Sequence, residues 1–158
     1  MIPVFTYLLI LLHLCVHELG HAAAAHLIGV KILRVKIGGG EPVLSIGRYE
    51  LALWITGGST EVAADDLAEK SILQRLFFFA GGTAAELVLW LMLSAVLNGL
   101  YDVISSACFF VLIFTNNCPF LPGSDLRGFL HSVSSECRTD PAETERHGKA
   151  KRISNDRR

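Results

Sequence analysis

The fold of this chain is decided by residues 4–30, VFTYLLILLHLCVHELGHAAAAHLIGV, an apolar run without a single Lys or Arg. As a helix, the run is long enough to cross a hydrocarbon core of about 30 Å. It contains the motif HELGH at residues 17–21. Ionisable side chains in a membrane span are costly unless a metal, a partner or water compensates for their burial. The run therefore predicts a membrane helix that carries a functional site.

The two histidines of this motif are spaced to share a metal ion. His17 and His21 project from one face of a helix, because four residues advance it only about 40° beyond a full turn. Both imidazoles can then hold one zinc ion, and Glu18, about 100° further round, can reach a water on that metal without being a ligand. We expect Glu18 to be the general base of a zinc peptidase. The competing interpretation is a chance pattern on a solvated helix.

Two further histidines of the same run have different expected positions. His13 precedes His17 by one turn on the same face, so we expect it to support the site or to line a polar cavity, with direct metal ligation less favoured. His26 falls on the opposite face and is expected near the membrane interface. We therefore exclude His26 as a metal ligand.

The composition is typical of a small membrane protein. Of the 158 residues, 51% are hydrophobic and only 18% are charged, and the mean hydropathy is +0.45. All 14 Lys and Arg fall within residues 31–75 and 127–158. This distribution predicts three membrane spans, at about 4–30, 76–97 and 103–121. We expect contact with the lipid bilayer and no nucleic-acid partner.

With three crossings, both basic blocks lie on one side of the membrane. The positive-inside rule identifies that side as the cytoplasm, which places the N-terminus outside and the C-terminus in the cytoplasm. Residues 1–30 could also be a signal peptide, but the first Lys is residue 31, after the apolar core rather than before it. The four Cys form no CxxC pair and are expected to be reduced.

Residues 31–60 connect the first two spans as a β-rich loop. Three segments of the loop, the last of them at 49–55, alternate in polarity or are rich in β-branched residues, which predicts two to four short strands. Glycine runs at 38–40 and 57–58 are expected to separate the strands as turns. An acidic stretch at 61–69 then leads into the second span.

The second span combines small residues with one carboxyl group. Gly81 and Ala85 form a small-xxx-small pair, which predicts close packing against another helix rather than catalysis. Glu86 lies within the span, where a carboxyl group must be neutral, paired or exposed to water. Two interpretations are equally favoured: Glu86 lines the substrate path, or it is a protonated packing residue.

The third span ends near Pro119 and Pro122, which break the helix. Asp125 follows them and can meet the two histidines as a third ligand, an oxygen, which leaves a fourth zinc position for water. The alternative is that Asp125 is a loop carboxylate or caps a following helix. We expect a membrane-embedded core at residues 1–131, followed at 132–158 by a polar, disordered cytoplasmic tail attracted to anionic lipid.

In this order, these features resemble the intramembrane zinc metalloproteases of the site-2 protease family, over roughly residues 3–130. The resemblance consists of HExxH in a spanning helix, a β-rich loop, a small-residue motif similar to the family's Gly-Pro-x-x-Asn, and a final Asn-x-x-Pro followed by Asp. It implies an α-helical membrane protein with a three-helix core and one zinc inside the cytoplasmic leaflet. The zinc ligands would be His17, His21 and Asp125, with Glu18 as the general base.

The resemblance also implies residues that contact the substrate. Asn116 keeps the Asn-x-x-Pro spacing and would help to hold the substrate strand, with Asn117 as its rival. Glu86 is the third candidate for a substrate contact. The second motif departs from the family pattern, because Gly82 stands at its proline and Ala85 or Glu86 at its asparagine.

The function implied by the resemblance is hydrolysis of peptide bonds in or near transmembrane segments of membrane-protein substrates, in a bacterial or archaeal plasma membrane. Because a membrane helix protects its amides with internal hydrogen bonds, the substrate must first unwind, and we expect it to extend beside a strand of the 31–56 loop. Substrate selection would come from the core, from this loop or from another protein acting as an adaptor.

Two other classes of protein compete with this interpretation. A catalytically inactive homologue could act as a zinc-binding membrane regulator that holds a partner helix in the same groove. The presence of Glu18 favours the enzyme, because zinc binding alone would not require it. A soluble zinc peptidase fits the three apolar spans poorly.

Overall fold

The computed structural model of this chain describes residues 2–118 and 124–137. The elements follow in the order α1 (Ile2–Leu27), β1 (Ile32–Gly39), β2 (Leu44–Ile46), β3 (Tyr49–Leu51), β4 (Trp54–Val62), α2 (Ala64–Ala68), α3 (Ile72–Val96), α4 (Leu100–Asn117) and α5 (Asp125–Cys137). The chain is thus mostly helical, with one small sheet between the first two long helices, as the sequence predicts.

Three helices, α1, α3 and α4, are long and apolar enough to cross a membrane by length and composition. They correspond to the three predicted spans, although α3 begins at Ile72 rather than at residue 76. The end predicted for the third span, with Pro119 and Pro122, lies outside the described residues. Many large apolar side chains of these helices are exposed, a surface that suits lipid rather than water: Leu8, Leu12, Leu87, Val88, Leu91, Met92, Phe110 and Phe114.

Helices α1 and α3 approach each other closely through small residues. A Cβ atom added to Gly20 would lie 2.5 Å from the carbonyl oxygen of Gly81 and 2.7 Å from the Cβ of Ala85. A Cβ atom on Gly81 would lie 2.8 Å from the Cβ of Ala24. The predicted packing role of Gly81 and Ala85 is confirmed, and Gly20, within the HELGH motif, is their partner on α1.

Local interactions define the ends and neighbours of α3. Ser71 caps its N-terminus: its hydroxyl accepts the backbone N–H of Gln74, whose side chain reaches back to the backbone N–H of Ser71. Further along, the Trp90 ring stacks on Phe109 of α4 with ring centroids 4.8 Å apart, and its Nε1–H donates to the Ser106 hydroxyl. These contacts place α4 beside α3.

The four strands form one sheet in the order β2-β3-β1-β4, with β1 parallel to β3 and antiparallel to β4. The sheet lies back along α1. At its base, the Ala63 N–H donates to the Lys31 carbonyl, and at its far end the Tyr7 hydroxyl donates to the Leu53 carbonyl over 2.7 Å. Tyr7 is ten residues before His17, or about 15 Å along the helix. Strand β4, which begins at Trp54, therefore passes the HELGH motif.

Two details of the predicted loop were wrong. The strand predicted over 49–55 is divided at Ala52, whose N–H donates to the Ile37 carbonyl, so that β3 ends and β4 begins there. Two predicted glycine turns lie at least partly in strands, since the glycines at 57–58 lie inside β4 and the first two of the run at 38–40 end β1. Gly57 has a φ of +130°, which glycine adopts without strain, and the strand continues through it.

The predicted boundary between core and tail also needs correction. Residues 132–137 belong to α5 rather than to a disordered tail. The buried Arg75 of α3 anchors this helix, because its Nη1 donates to the carbonyl and the hydroxyl of Ser132 over 3.0 and 3.2 Å. Ser124 caps the start of α5 by accepting the Arg127 N–H. The remainder of the predicted tail, residues 138–158, lies outside the described part of the chain.

Candidate metal centre

The two histidines of the HELGH motif lie in the buried part of α1. His17 is 3% exposed and His21 is 4% exposed. Their Nε2 atoms are 3.1 Å apart, and the two rings meet edge to face. The helical spacing predicted this shared face, and the structure confirms it. In contrast, His26 is exposed, as expected for the opposite face.

The first residue of α5 completes a cluster of three side chains. One carboxylate oxygen of Asp125, Oδ2, lies 3.2 Å from His17 Nε2, and the other, Oδ1, lies 3.2 Å from His21 Nε2. These three residues offer ligand atoms that all lie within 4.8 Å of one another. The alternative prediction, that Asp125 caps the following helix, was wrong, because Ser124 caps α5.

The spacing of these atoms fits a zinc ion. Ligand atoms bonded to a tetrahedral zinc at about 2.0–2.1 Å are about 3.3 Å from one another. The two Nε2 atoms here are 3.1 Å apart, and each lies 3.2 Å from a different oxygen of Asp125. Asp125 Oδ2 is buried and has no hydrogen-bond partner in the described part of the chain, so it keeps a lone pair that a cation would satisfy. Two imidazoles and a carboxylate are also ligands that zinc prefers.

The charge of Asp125 suits the same role. Burial raises the pKa of this carboxyl group, but the neighbouring imidazoles of His17 and His21 lower it by more, so that its pKa lies below the ordinary value. The side chain is therefore ionised at neutral pH, which is the form that ligates a metal.

The remaining nitrogen of each imidazole has a partner on α3. His17 Nδ1 lies 3.1 Å from Glu86 Oε2, and His21 Nδ1 lies 2.8 Å from the Phe78 carbonyl oxygen. Both partners can accept a hydrogen bond from an Nδ1–H. With the proton on Nδ1, the Nε2 lone pair of each ring is available to a metal held together with Asp125.

A glycine of α3 forms the wall behind both rings. A Cβ atom on Gly82 would lie 2.5 Å from His21 Nε2 and 2.7 Å from His17 Cε1. Any side chain at this position would have to displace the imidazoles. Gly82 is the position at which the chain departs from the proline of the similar motif, and its bare Cα permits the close approach of α3.

Glu18 lies on the other side of the motif, toward the sheet. The Thr60 hydroxyl of β4 donates to Glu18 Oε2 over 2.7 Å and lies 3.1 Å from the Glu18 carbonyl oxygen. A Cβ atom on Gly58 would lie 2.6 Å from Glu18 Oε1. Strand β4 thus holds the Glu18 side chain in place, and only a glycine at position 58 leaves room for it.

A cavity of about 1120 Å³ opens beside Glu18. Five elements line it: the part of α1 that carries the motif, residues of β4, Phe78 and Phe79 of α3, the second half of α4, and the first turns of α5. A volume of this size exceeds that of most small-molecule pockets and can admit a peptide segment. Two side chains of α5 that sequence analysis did not single out, Arg127 and His131, also line the cavity.

The three predicted substrate contacts have different positions. Asn116 lines the cavity, with its Nδ2 3.4 Å from His17 Nδ1. Asn117 instead donates to the Thr83 hydroxyl and to the Ile113 carbonyl, which ties α4 to α3. Of the two asparagines, Asn116 is the one that lines the cavity.

Glu86 lies beside His17 rather than in the cavity. It is fully buried and is not among the described residues that line the cavity, which favours the interpretation of a buried residue over one that lines the substrate path. One oxygen of its carboxyl group lies 3.1 Å from His17 Nδ1, so it also contacts a candidate metal ligand. His13 is likewise fully buried, with its Nδ1 3.9 Å from Glu86 Oε1, and it lies apart from the three candidate ligands.

Thr60 and Gly58 were missed by sequence analysis. Their neighbourhood, Gly-Gly-Ser-Thr at residues 57–60, has the composition of a turn, and no local pattern indicates that it contacts Glu18. The pairing of β4 with β1, which places Ile37 opposite Gly58 and Val35 opposite Thr60, sets the position of these residues beside α1.

Comparison with known proteins identifies the family. A sequence model described as Peptidase family M50 matches residues 5–147. No curated protein matches the chain at a significant level. The M50 match covers most of the 158 residues and includes all elements of the candidate metal centre. The chain therefore belongs to Peptidase family M50, the site-2 protease family, whose members are membrane-embedded zinc metalloproteases.

Proposed function

We propose that this protein is an intramembrane zinc metalloprotease that hydrolyses peptide bonds in or near the transmembrane segments of membrane proteins. Its family supports metallopeptidase activity. The observation that carries the proposal is the convergence of His17, His21 and Asp125, with Glu18 beside them on the wall of a large cavity. Three helices apolar enough to cross a membrane support a membrane-protein substrate.

Each residue of the cluster has a distinct role in this proposal. His17, His21 and Asp125 would hold one zinc ion. Zinc held there would polarise the scissile carbonyl and make a water molecule more acidic. Glu18 takes the proton of the attacking water and later delivers it to the leaving amine. The Thr60 hydroxyl, bonded to one oxygen of Glu18, leaves the other oxygen available for that proton.

The exposed edge of the sheet offers a binding site for the substrate backbone. Strand β4 stands at the end of the sheet and, among the described residues, pairs only with β1. Its residues Ile55 and 57–60 line the cavity next to Glu18. A substrate segment that has unwound can add to this edge as another strand, because its N–H and C=O groups need new partners. Asn116, on the opposite wall, can donate to the same segment.

Replacing the proposed general base tests the reaction. Glu18→Gln keeps the shape of the side chain and both histidines, so its zinc content should equal that of the wild type, while proteolysis should fall about 10²-fold or more. Both properties are measured on the same purified samples, by metal analysis and by cleavage of purified single-span membrane proteins. Glu61→Gln is the matched control, since Glu61 is an exposed carboxylate on the same strand β4.

The outcomes separate the proposed enzyme from the competing regulator. Equal cleavage by the wild type and Glu18→Gln would reject the assigned mechanism. Zinc binding by the wild type with no cleavage of any single-span protein would favour the regulator that holds a partner helix. The contact between Thr60 and Glu18 supports the enzyme, because metal binding alone does not require Glu18 to be held beside the cavity.

A further inference from the structure

A buried carboxylate of α3 lies beside the candidate metal centre and is not among the described residues that line the cavity. Glu86 is fully buried in α3, within one of the three helices apolar enough to cross a membrane. An ionisable side chain at such a position is costly and calls for a specific compensation. The proposed reaction assigns no step to Glu86. Its contacts therefore indicate what it does.

The carboxylate contacts the nitrogen of His17 that points away from the cluster. Glu86 Oε2 lies 3.1 Å from His17 Nδ1, while His17 Nε2 faces His21 and Asp125. A carboxylate that accepts the Nδ1–H of an imidazole fixes its tautomer and orientation and makes Nε2 a stronger electron donor. The contact is made at Nδ1, so Nε2 is left to bind a metal.

One face of α3 serves both histidines. Phe78, Gly82 and Glu86 follow one another at intervals of four residues, so they lie on the same side of the helix. The carbonyl of Phe78 orients His21, Gly82 leaves space for both rings, and Glu86 orients His17. The two histidines therefore have different acceptors, one a neutral carbonyl and the other a carboxylate.

We propose that Glu86 is a positioning residue that holds His17 in the orientation and tautomer required to bind zinc. This inference rests on the proposed function, because it takes the cluster as a zinc site. His13 completes the surroundings of the carboxylate. Its Nδ1 lies 3.9 Å from Glu86 Oε1, and neither of its ring nitrogens has a hydrogen-bond partner in the described ranges. The carboxylate thus lies between two imidazoles of α1, and only His17 is close enough for a hydrogen bond.

Zinc affinity is the direct measure of this role. The full-length protein and its Glu86→Gln and Glu86→Ala variants are titrated with zinc in competition with a chromogenic chelator. Loss of a partner that orients a metal ligand typically lowers the affinity for the metal about 10- to 100-fold. Gln keeps an oxygen acceptor without the charge, so we expect a loss of about 10-fold for Glu86→Gln and about 100-fold for Glu86→Ala.

A second measurement distinguishes positioning from a general structural role. The thermal transition of the zinc-free protein should be the same for the wild type and Glu86→Gln, since Gln fills the same volume and still accepts a hydrogen bond. Ser105→Ala is the matched control, because the Ser105 side chain is also fully buried and its hydroxyl has no partner among the residues described. This variant should bind zinc like the wild type.

The experiment can refute the positioning role of Glu86 while leaving the proposed protease function standing. Wild-type zinc affinity in both Glu86 variants would refute the positioning role, and so would an equal loss in Ser105→Ala. A wild-type protein that binds zinc and shows the graded loss, yet cleaves no substrate, would refute the protease while leaving the role of Glu86 supported. A wild type that binds no zinc would refute both.

Discussion

The two sides of the HELGH motif are built differently. Toward α3, the histidines meet a closely packed helix that contributes a carbonyl, a bare glycine and a carboxylate, all buried. Toward β4, Glu18 meets a hydroxyl on a strand edge beside an open cavity. The comparison indicates that one element prepares the metal ligands and another holds the general base. Metal binding and proteolysis should therefore respond to different substitutions.

The two sides differ because metal ligands and a substrate have different structural requirements. Metal ligands need fixed orientations and little water, and a helix that approaches through Gly20 and Gly81 provides both. A substrate needs space and unpaired backbone groups, which a strand edge provides. Glycine appears on both sides because in each case a backbone lies against a side chain of the motif.

The largest effect on metal binding is expected from Asp125→Ala. This change removes a direct ligand, so the loss of zinc affinity should exceed the roughly 10- to 100-fold that follows from losing a partner of a ligand. Proteolysis should be lost with the metal. Metal analysis and the chelator competition measure the effect, and Glu69→Ala, which removes an exposed carboxylate at the end of α2, is the control. Retention of wild-type zinc affinity would exclude Asp125 as a ligand.

Gly82→Ala adds one methyl group to α3 and tests whether the close approach of this helix is required for metal binding. The added Cβ would lie 2.5 Å from His21 Nε2, so the rings must move, and we expect zinc affinity to fall about 10- to 100-fold. Alanine favours a helix over glycine by up to about 1 kcal/mol, so a weaker helix would not explain this loss. Ala80→Ser, on an exposed position of the same helix, is the control. Unchanged affinity would show that the close approach of α3 does not matter for the metal.

Thr60→Val tests the β4 side and should have the smallest effect. Valine keeps the branched shape but cannot donate to Glu18. Loss of one hydrogen bond to a charged group is worth about 1.5 kcal/mol, or roughly a tenfold decrease in the rate of cleavage. Zinc affinity should not change. Glu61→Gln, at an exposed position on the same strand that is not among the described residues lining the cavity, is the control. A decrease in zinc affinity with Thr60→Val would contradict the division of roles between the two sides.

Errors in the sequence-based predictions fall mainly where long-range contacts override local patterns. Residues 57–58 are typical of a turn, but pairing with β1 extends β4 through them. Residues 132–137 are polar enough for a tail, but Arg75 fixes them as part of α5. A carboxyl group in a span indicates that compensation exists, and it does not indicate which side chain supplies it, as Glu86 illustrates.

The sequence by itself determined the three long apolar helices and the face shared by His17 and His21, because hydropathy and the helical repeat act over a few neighbouring residues. The order of its motifs also indicated the family. Only the tertiary structure decided which groups complete the site. Glu86 meets His17 across 69 residues, and Thr60 meets Glu18 across 42. Such contacts depend on how α3 and β4 pack against α1, and no local pattern specifies that packing.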